Sequence, residues 1–336
     1  MQAKAELFGL GDLALDSGEV LRDAQLAYVA FGSLNAARDN AILVPSYYTG
    51  THRESSALVG DGRALDPSRY FILLVNLFGN GESSSPSNHP HQGGVKFPRL
   101  SLFDNVRAHW QLLEALGVSK LALVYGWSMG AQQAYHHAVL FPERVERLLA
   151  VCGSARTSPH NRVFLEGVKA ALLADAGFAG GHYERPPRRG LGAFGRVYAG
   201  WAYSQAFFRE ALYQRLGHAS PEALLDAWER EHHGYDANDL LCVLDTWQRA
   251  DVAALPAFDG NLAAALRHIK ARAVVMPSSS DLYFSVEDNR LEVEHLQRGE
   301  LRVLESKFGH VAGGPNRIVE DTAFVEAAMR ELLAAK

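Results

Sequence analysis

The sequence predicts an α/β fold in which a mainly parallel sheet is interrupted by an inserted helical cap. Three features carry this reading. Short, uninterrupted apolar runs recur along the chain, helical periodicity lies between several of them, and one stretch of roughly a hundred residues holds no convincing strand. Unbroken apolar runs, as opposed to alternating ones, suit strands covered on both faces.

In chain order, the expected strands are residues 41–44, 71–75, 121–125, 148–151, 273–276 and 301–304. Helical periodicity marks residues 103–116 and 131–141, so strand alternates with helix. The rhythm breaks near residue 155. A segment punctuated by Pro186-Pro187-Arg188-Arg189-Gly190 is followed by amphipathic stretches at 221–231 and 237–248. The resulting division assigns residues 1–155 and 267–336 to a core domain and 156–266 to a helical cap, or lid.

With 336 residues, 48% apolar and 21% charged, the chain has the balance of an ordinary globular protein. A core of that size requires no disulfide or structural metal. The net charge of −5 is spread along the chain, with no basic block to suggest a nucleic-acid arm or a membrane anchor. No apolar run reaches the roughly 18 residues of a membrane span, and the first residues lack a secretion-signal pattern. A cytoplasmic protein without nucleic-acid or membrane partners is expected. The two cysteines, Cys152 and Cys242, form no C-x-x-C pair, so they are read as buried free thiols and no metal site is expected.

The sharpest chemical signal is Gly126-Trp127-Ser128-Met129-Gly130, a G-x-S-x-G pattern between an apolar run and a helix-forming stretch. A nucleophilic serine needs a very tight strand-to-helix turn that projects its Oγ clear of the backbone. Glycines on either side remove the collisions such a turn would create. Ser128 is therefore the candidate nucleophile.

A serine hydroxyl needs a base, and the base needs an orienting acid. After a nucleophile elbow these partners come in the order Asp or Glu, then His, on loops that follow strands. Of fourteen histidines, His310 meets that demand, close behind the run at 301–304. His136 and His137 lie on the helix after the elbow, His232 and His233 in the cap, and His52, His89 and His91 in early loops taken as solvent-exposed. For the acid, Asp281 follows the 273–276 run directly. Asp245, Asp251 and Asp259 lack a preceding strand, and Glu287 and Asp288 fall in the first turn of a helix.

The tetrahedral intermediate requires two N–H donors. Met129, after the nucleophile, supplies one. Tyr47 or Tyr48, after the 41–44 run, supplies the other, with Tyr48 preferred. Residues 78–85, Phe-Gly-Asn-Gly-Glu-Ser-Ser-Ser, match neither phosphate-binding glycine motif and are read as a surface loop near the site's mouth, so no nucleotide cofactor is expected.

With these residues in place, the chain resembles the homoserine O-acetyltransferase branch of the α/β hydrolases over nearly its whole length. The likeness rests on residues 26–35, Tyr48-Thr49-Gly50-Thr51-His52, residues 65–71, the elbow, Asp236-Ala237-Asn238, Ser280-Asp281-Leu282-Tyr283 and Gly309-His310. The resemblance implies the α/β-hydrolase fold, Ser128 as acyl carrier with Asp281 and His310 as its partners, and a cap that mediates a homodimer. It also implies an arginine on the first cap helix that grips the homoserine carboxylate, and an aspartate after the catalytic histidine that holds the ammonium. Lys169 and Val311 stand at those positions. Lysine offers a point charge where arginine offers a fork, and valine offers no charge. Tyr47, Trp127, Lys169 and Val311 are the candidate pocket residues.

The favoured function is acyl transfer through an acyl-enzyme on Ser128, ending in hydrolysis of a small carboxylic ester, less readily an amide. The alternative is an O-acyltransferase with acetyl-CoA as co-substrate. A third reading is a non-catalytic small-molecule receptor on the same fold.

Overall fold

The computed structural model describes residues 4–335. An antiparallel hairpin, β1 (Glu6–Ala14) and β2 (Val20–Phe31), opens the chain. There follow β3 (Ala41–Pro45), α1 (His52–Ser56), β4 (Phe71–Val75), α2 (Leu102–Ala115), β5 (Leu123–Trp127), α3 (Met129–Leu140) and β6 (Arg147–Val151). Six helices come next: α4 (Pro159–Leu173), α5 (Arg188–Ala202), α6 (Gln205–Arg209), α7 (Pro221–His232), α8 (Ala237–Gln248) and α9 (Leu262–His268). The chain then resumes the sheet with β7 (Arg272–Met276), α10 (Val286–Val293), β8 (Gly299–Leu301) and α11 (Val319–Ala334). The eight strands lie in the order β1-β2-β4-β3-β5-β6-β7-β8, parallel from β4 to β8, with the hairpin added antiparallel at one edge.

Side-chain alternation explains why the central strands read as unbroken apolar runs. Ile42, Val44, Ile72, Leu74, Tyr125 and Val151 point into one apolar cluster, shared with α4, α5, α8 and α11. Ala41, Leu43, Leu73, Val75, Val124 and Ala150 point into the other, shared with α2, α3 and α9. Each of these central strands is buried on both faces, so no polar residue interrupts its apolar run.

The structure adds to and corrects the expected elements. The β1–β2 hairpin was not anticipated, because its strands carry glycine and charge and its register shifts twice between Gly9 and Leu13. The last strand ends at Leu301, earlier than the run 301–304; Leu304 makes only an isolated bridge to Ser278. Residues 78–85 reach the surface only at their tip, around Gly81, and are otherwise buried. Ser83 and Ser84 are buried and accept the Ala27 and Gln25 N–H groups, closing the open side of β2. His52 and His89 are likewise buried, His52 against the Asn76 side chain.

The inserted helices are clamped at their base. Thr157 N–H donates to the Ala250 carbonyl and Val252 N–H to that of Ala155, so the two crossings between sheet and helices are tied together. Among the described residues, no helix is long and apolar enough to cross a membrane.

Candidate active site

The turn from β5 into α3 holds Ser128 at φ 57°, ψ −128°, a conformation that costs on the order of 1–3 kcal/mol for a residue with a side chain. The surroundings enforce it. Ser128 N–H donates to the Val151 carbonyl, and the Ser128 carbonyl accepts the Ala131 N–H. A Cβ on Gly126 would lie 2.1 Å from the Gly130 carbonyl carbon, and one on Gly130 would lie 2.8 Å from the Pro45 carbonyl oxygen. Only glycine permits strand, helix and β3 to approach this closely.

Asp281 sits on the loop after β7. Its Oδ1 accepts the Tyr283 N–H at 2.7 Å and the Phe284 N–H at 3.3 Å, which fixes the carboxylate and leaves Oδ2 for another donor. His310 lies in a single helical turn, Gly309–Val311, beyond β8. Ser280 holds that turn to the Asp281 loop, accepting the Gly309 N–H and donating to the Ser306 carbonyl. The next residue, Ala312, accepts the Trp127 indole N–H at 3.2 Å.

These three loops converge. His310 Nδ1 lies 2.8 Å from Asp281 Oδ2, and His310 Nε2 lies 2.8 Å from Ser128 Oγ. With the carboxylate as acceptor, the proton belongs on Nδ1, so Nε2 carries the lone pair and the serine hydroxyl donates to it. Exposures of 2%, 8% and 3% for Ser128, Asp281 and His310 shield the relay from bulk water. The imidazole is wedged among Trp127, Tyr283 and Phe284, with ring centroids at 4.9, 4.3 and 5.6 Å. Hydroxyl, imidazole and carboxylate thus form the chain that makes a serine nucleophilic.

Around Ser128 lies a small cavity of about 30 Å³, lined by Tyr47, Tyr48, Trp127, His310 and Val311 from the sheet side and Tyr198, Ala202, Trp228, Glu231 and His232 from the cap. Tyr47 packs edge-on to Trp127 at 4.6 Å, and burial pushes its hydroxyl pKa up to about 12, so it remains a phenol. The Tyr48 hydroxyl donates to the Leu240 carbonyl, and its ring stacks on Tyr198 at 5.9 Å. That anchors its main chain at the end of β3. Met129 opens α3, where its N–H has no carbonyl a turn earlier to meet. Tyr48 and Thr49 also wall a second cavity of about 250 Å³ that contains Gly79 and Gly81.

Lys169 is not brought to this cavity. The buried face of α4 presents Phe164, Leu165, Val168 and Leu172, which turns Lys169 outward to Glu166, 3.5 Å away. Arg317, seven residues beyond His310, instead brings a cation to the cavity lining. Glu231, His232 and Arg317 were all missed. Trp228, Glu231 and His232 share one face of α7 by their i, i+3, i+4 spacing, a signal present in the sequence. Arg317 lies in a loop and carried none. Of the cap aromatics Phe194, Tyr198, Trp201, Tyr203, Phe207 and Phe208, only Tyr198 reaches the cavity; the others pack among the helices.

Comparison with known proteins agrees with this architecture. Residues 60–313 match the alpha/beta hydrolase fold family. The chain is similar to an ethyl acetate hydrolase of Pseudomonas veronii, 39% identical across 91% of this chain and 89% of that one. It is also similar to a homoserine O-acetyltransferase of Rhodopseudomonas palustris (strain BisB18), 33% identical across 92% and 86%. The solved structure of the acetyl esterase MekB superposes with a TM-score of 0.96 at 38% identity, covering 99% and 98% of the two chains. With its parallel sheet, its strained serine after β5 and this span of matched sequence, the chain belongs to the α/β-hydrolase fold family.

Proposed function

We propose that the protein is a serine-dependent carboxylic-ester hydrolase that forms an acyl-enzyme on Ser128, and that its acyl group is short. The observation that carries this is the unbroken contact from Ser128 Oγ through His310 to Asp281, buried beside a small cavity. Similarity to an ethyl acetate hydrolase and an acetyl esterase supports the same class of substrate.

In this reading His310 Nε2 takes the Ser128 proton as Oγ attacks the ester carbonyl. Asp281 stabilises the imidazolium, and the main-chain N–H groups of Met129 and Tyr48 hold the oxyanion. His310 then returns the proton to the leaving alcohol. Water repeats the sequence in reverse and frees the acid. The chemistry uses only side chains and backbone of this chain, with no cofactor. Residues 156–266 form the lid over the site, and a homodimer through that lid is supported by the exposed apolar side chains Val163, Leu173 and Val197 of α4 and α5.

The O-acyltransferase reading, with acetyl-CoA as donor, has one specific support, the likeness to homoserine O-acetyltransferases. Against it stands Val311, buried at the cavity with no charge to hold an ammonium group. A series of p-nitrophenyl esters separates the readings. We expect acetate and propionate to be turned over fastest, octanoate slowly, and Ser128→Ala to lose about 10⁴-fold or more of kcat. Consumption of acetyl-CoA that requires homoserine and outpaces ester hydrolysis would favour the transferase instead.

A further inference from the structure

His232 lines the same cavity and is 2% exposed. Its ring is fixed by aromatic neighbours, with Trp228, Phe194 and Tyr235 at centroid distances of 5.7, 5.5 and 5.4 Å. Nδ1 lies 2.8 Å from the Trp228 carbonyl, an acceptor, so the ring proton sits on Nδ1. Burial lowers the pKa of His232, which keeps the second nitrogen unprotonated. Nε2 is then a bare, buried lone pair, and among the described residues nothing donates to it. A buried acceptor without a partner costs about 1–3 kcal/mol, and a bound water is one way to recover that cost.

The geometry points to His232 as the residue that positions the hydrolytic water: its Nε2 accepts one hydrogen of the water whose other hydrogen is taken by His310. This rests on the ester-hydrolase reading given above. A water needs roughly 10–15 Å³ of such space, and the cavity of about 30 Å³ has room for one. Water has two hydrogens, and attack requires its oxygen lone pair to face the acyl carbon. Held by two imidazoles, one hydrogen each, it has its lone pairs left for that carbon. The oxygen bonds to the acyl carbon while its proton passes to His310 Nε2. The intermediate then breaks the bond between that carbon and Ser128 Oγ, the proton moves from His310 to Oγ, and the carboxylic acid leaves with the hydrogen that faced His232. His232 gains no proton at any stage. An alcohol acceptor has one hydroxyl hydrogen, given to His310, and so gains nothing from His232. The contact therefore favours water over alcohols.

The test is rapid-mixing kinetics with p-nitrophenyl acetate on the full-length enzyme, His232→Phe and His232→Gln. Phenylalanine keeps the ring packing and removes the acceptor; glutamine places an amide oxygen near the Nε2 position. We expect His232→Phe to keep the burst of p-nitrophenol within about twofold, and to slow the steady deacylation phase at least about tenfold. In the presence of butanol it should yield a higher ratio of butyl acetate to acetate, and glutamine should restore most of the loss. An unchanged deacylation rate and product ratio in His232→Phe would overturn the proposal. So would an equal loss of burst and steady rates that glutamine fails to rescue, which marks a packing role. A wild-type enzyme that acylates no serine would remove the hydrolase reading itself, and this proposal with it.

Discussion

Gly126 and Gly130 bear the steric demand that Ser128 creates. The backbone contacts a methyl group would meet at Gly126 cannot relax by rotating a side chain, because they are main-chain atoms of α3. We expect Gly126→Ala to destabilise the fold by about 3 kcal/mol or more, seen as a lower denaturation midpoint in urea, and to abolish serine labelling. Asp281 illustrates a different constraint. One oxygen is saturated by two main-chain N–H groups, so its partner can only be His310, and the acid orients the ring without sharing its own position. Ser128 and Asp281 could be placed from the sequence because each follows a strand whose apolar run gives way to a turn, and His310 because it lies in the loop beyond the last strand. Lys169 was misplaced for the converse reason. Its chemistry suited a carboxylate, but the apolar periodicity of α4, with Phe164, Leu165 and Val168 inward, already turned it toward solvent.

At the scale of elements, α10 is tied to the crossing from β6 into the cap by two buried side chains. Asn289 donates to the Gly153 carbonyl, and Glu292 accepts the Ala155 N–H. Burial raises the Glu292 pKa from 4.5 to about 8, against the opposing pull of that N–H. Between those values the unfolded chain releases the proton and the folded chain keeps it, so stability falls as pH rises through the window and levels off above about 8. Glu292→Gln removes this titration. The difference in unfolding free energy between wild type and variant, measured from pH 5 to 9, should move toward the variant up to about pH 8 and then level off; a constant difference would show that Glu292 is ionised throughout. The central strands were readable for the reason that they are buried on both sides. The β1–β2 hairpin was not, since an edge position allows the charges, glycines and register shifts that erase periodicity.

Across the whole molecule, the sheet brings Ser128, His310 and Asp281 to one edge, and the inserted helices wall the cavity beside them. Residues from both sides line the cavity at Ser128, and the cap side contributes Glu231 and His232, whose shared helix face could be read from their spacing but whose place over Ser128 could not. How α7 lies across the sheet is a tertiary fact, set by packing of Tyr198, Trp228 and His232 against one another. Hence the loops that meet at Ser128 were legible and the cap residues that face them were not. The direct test of that chemistry is mass spectrometry of the enzyme quenched during turnover of p-nitrophenyl acetate, with peptide mapping. One acetyl group on the peptide carrying Ser128, absent from Ser128→Ala, is the expected result. Steady turnover with no acetylated serine, or with the label on another residue, would contradict it.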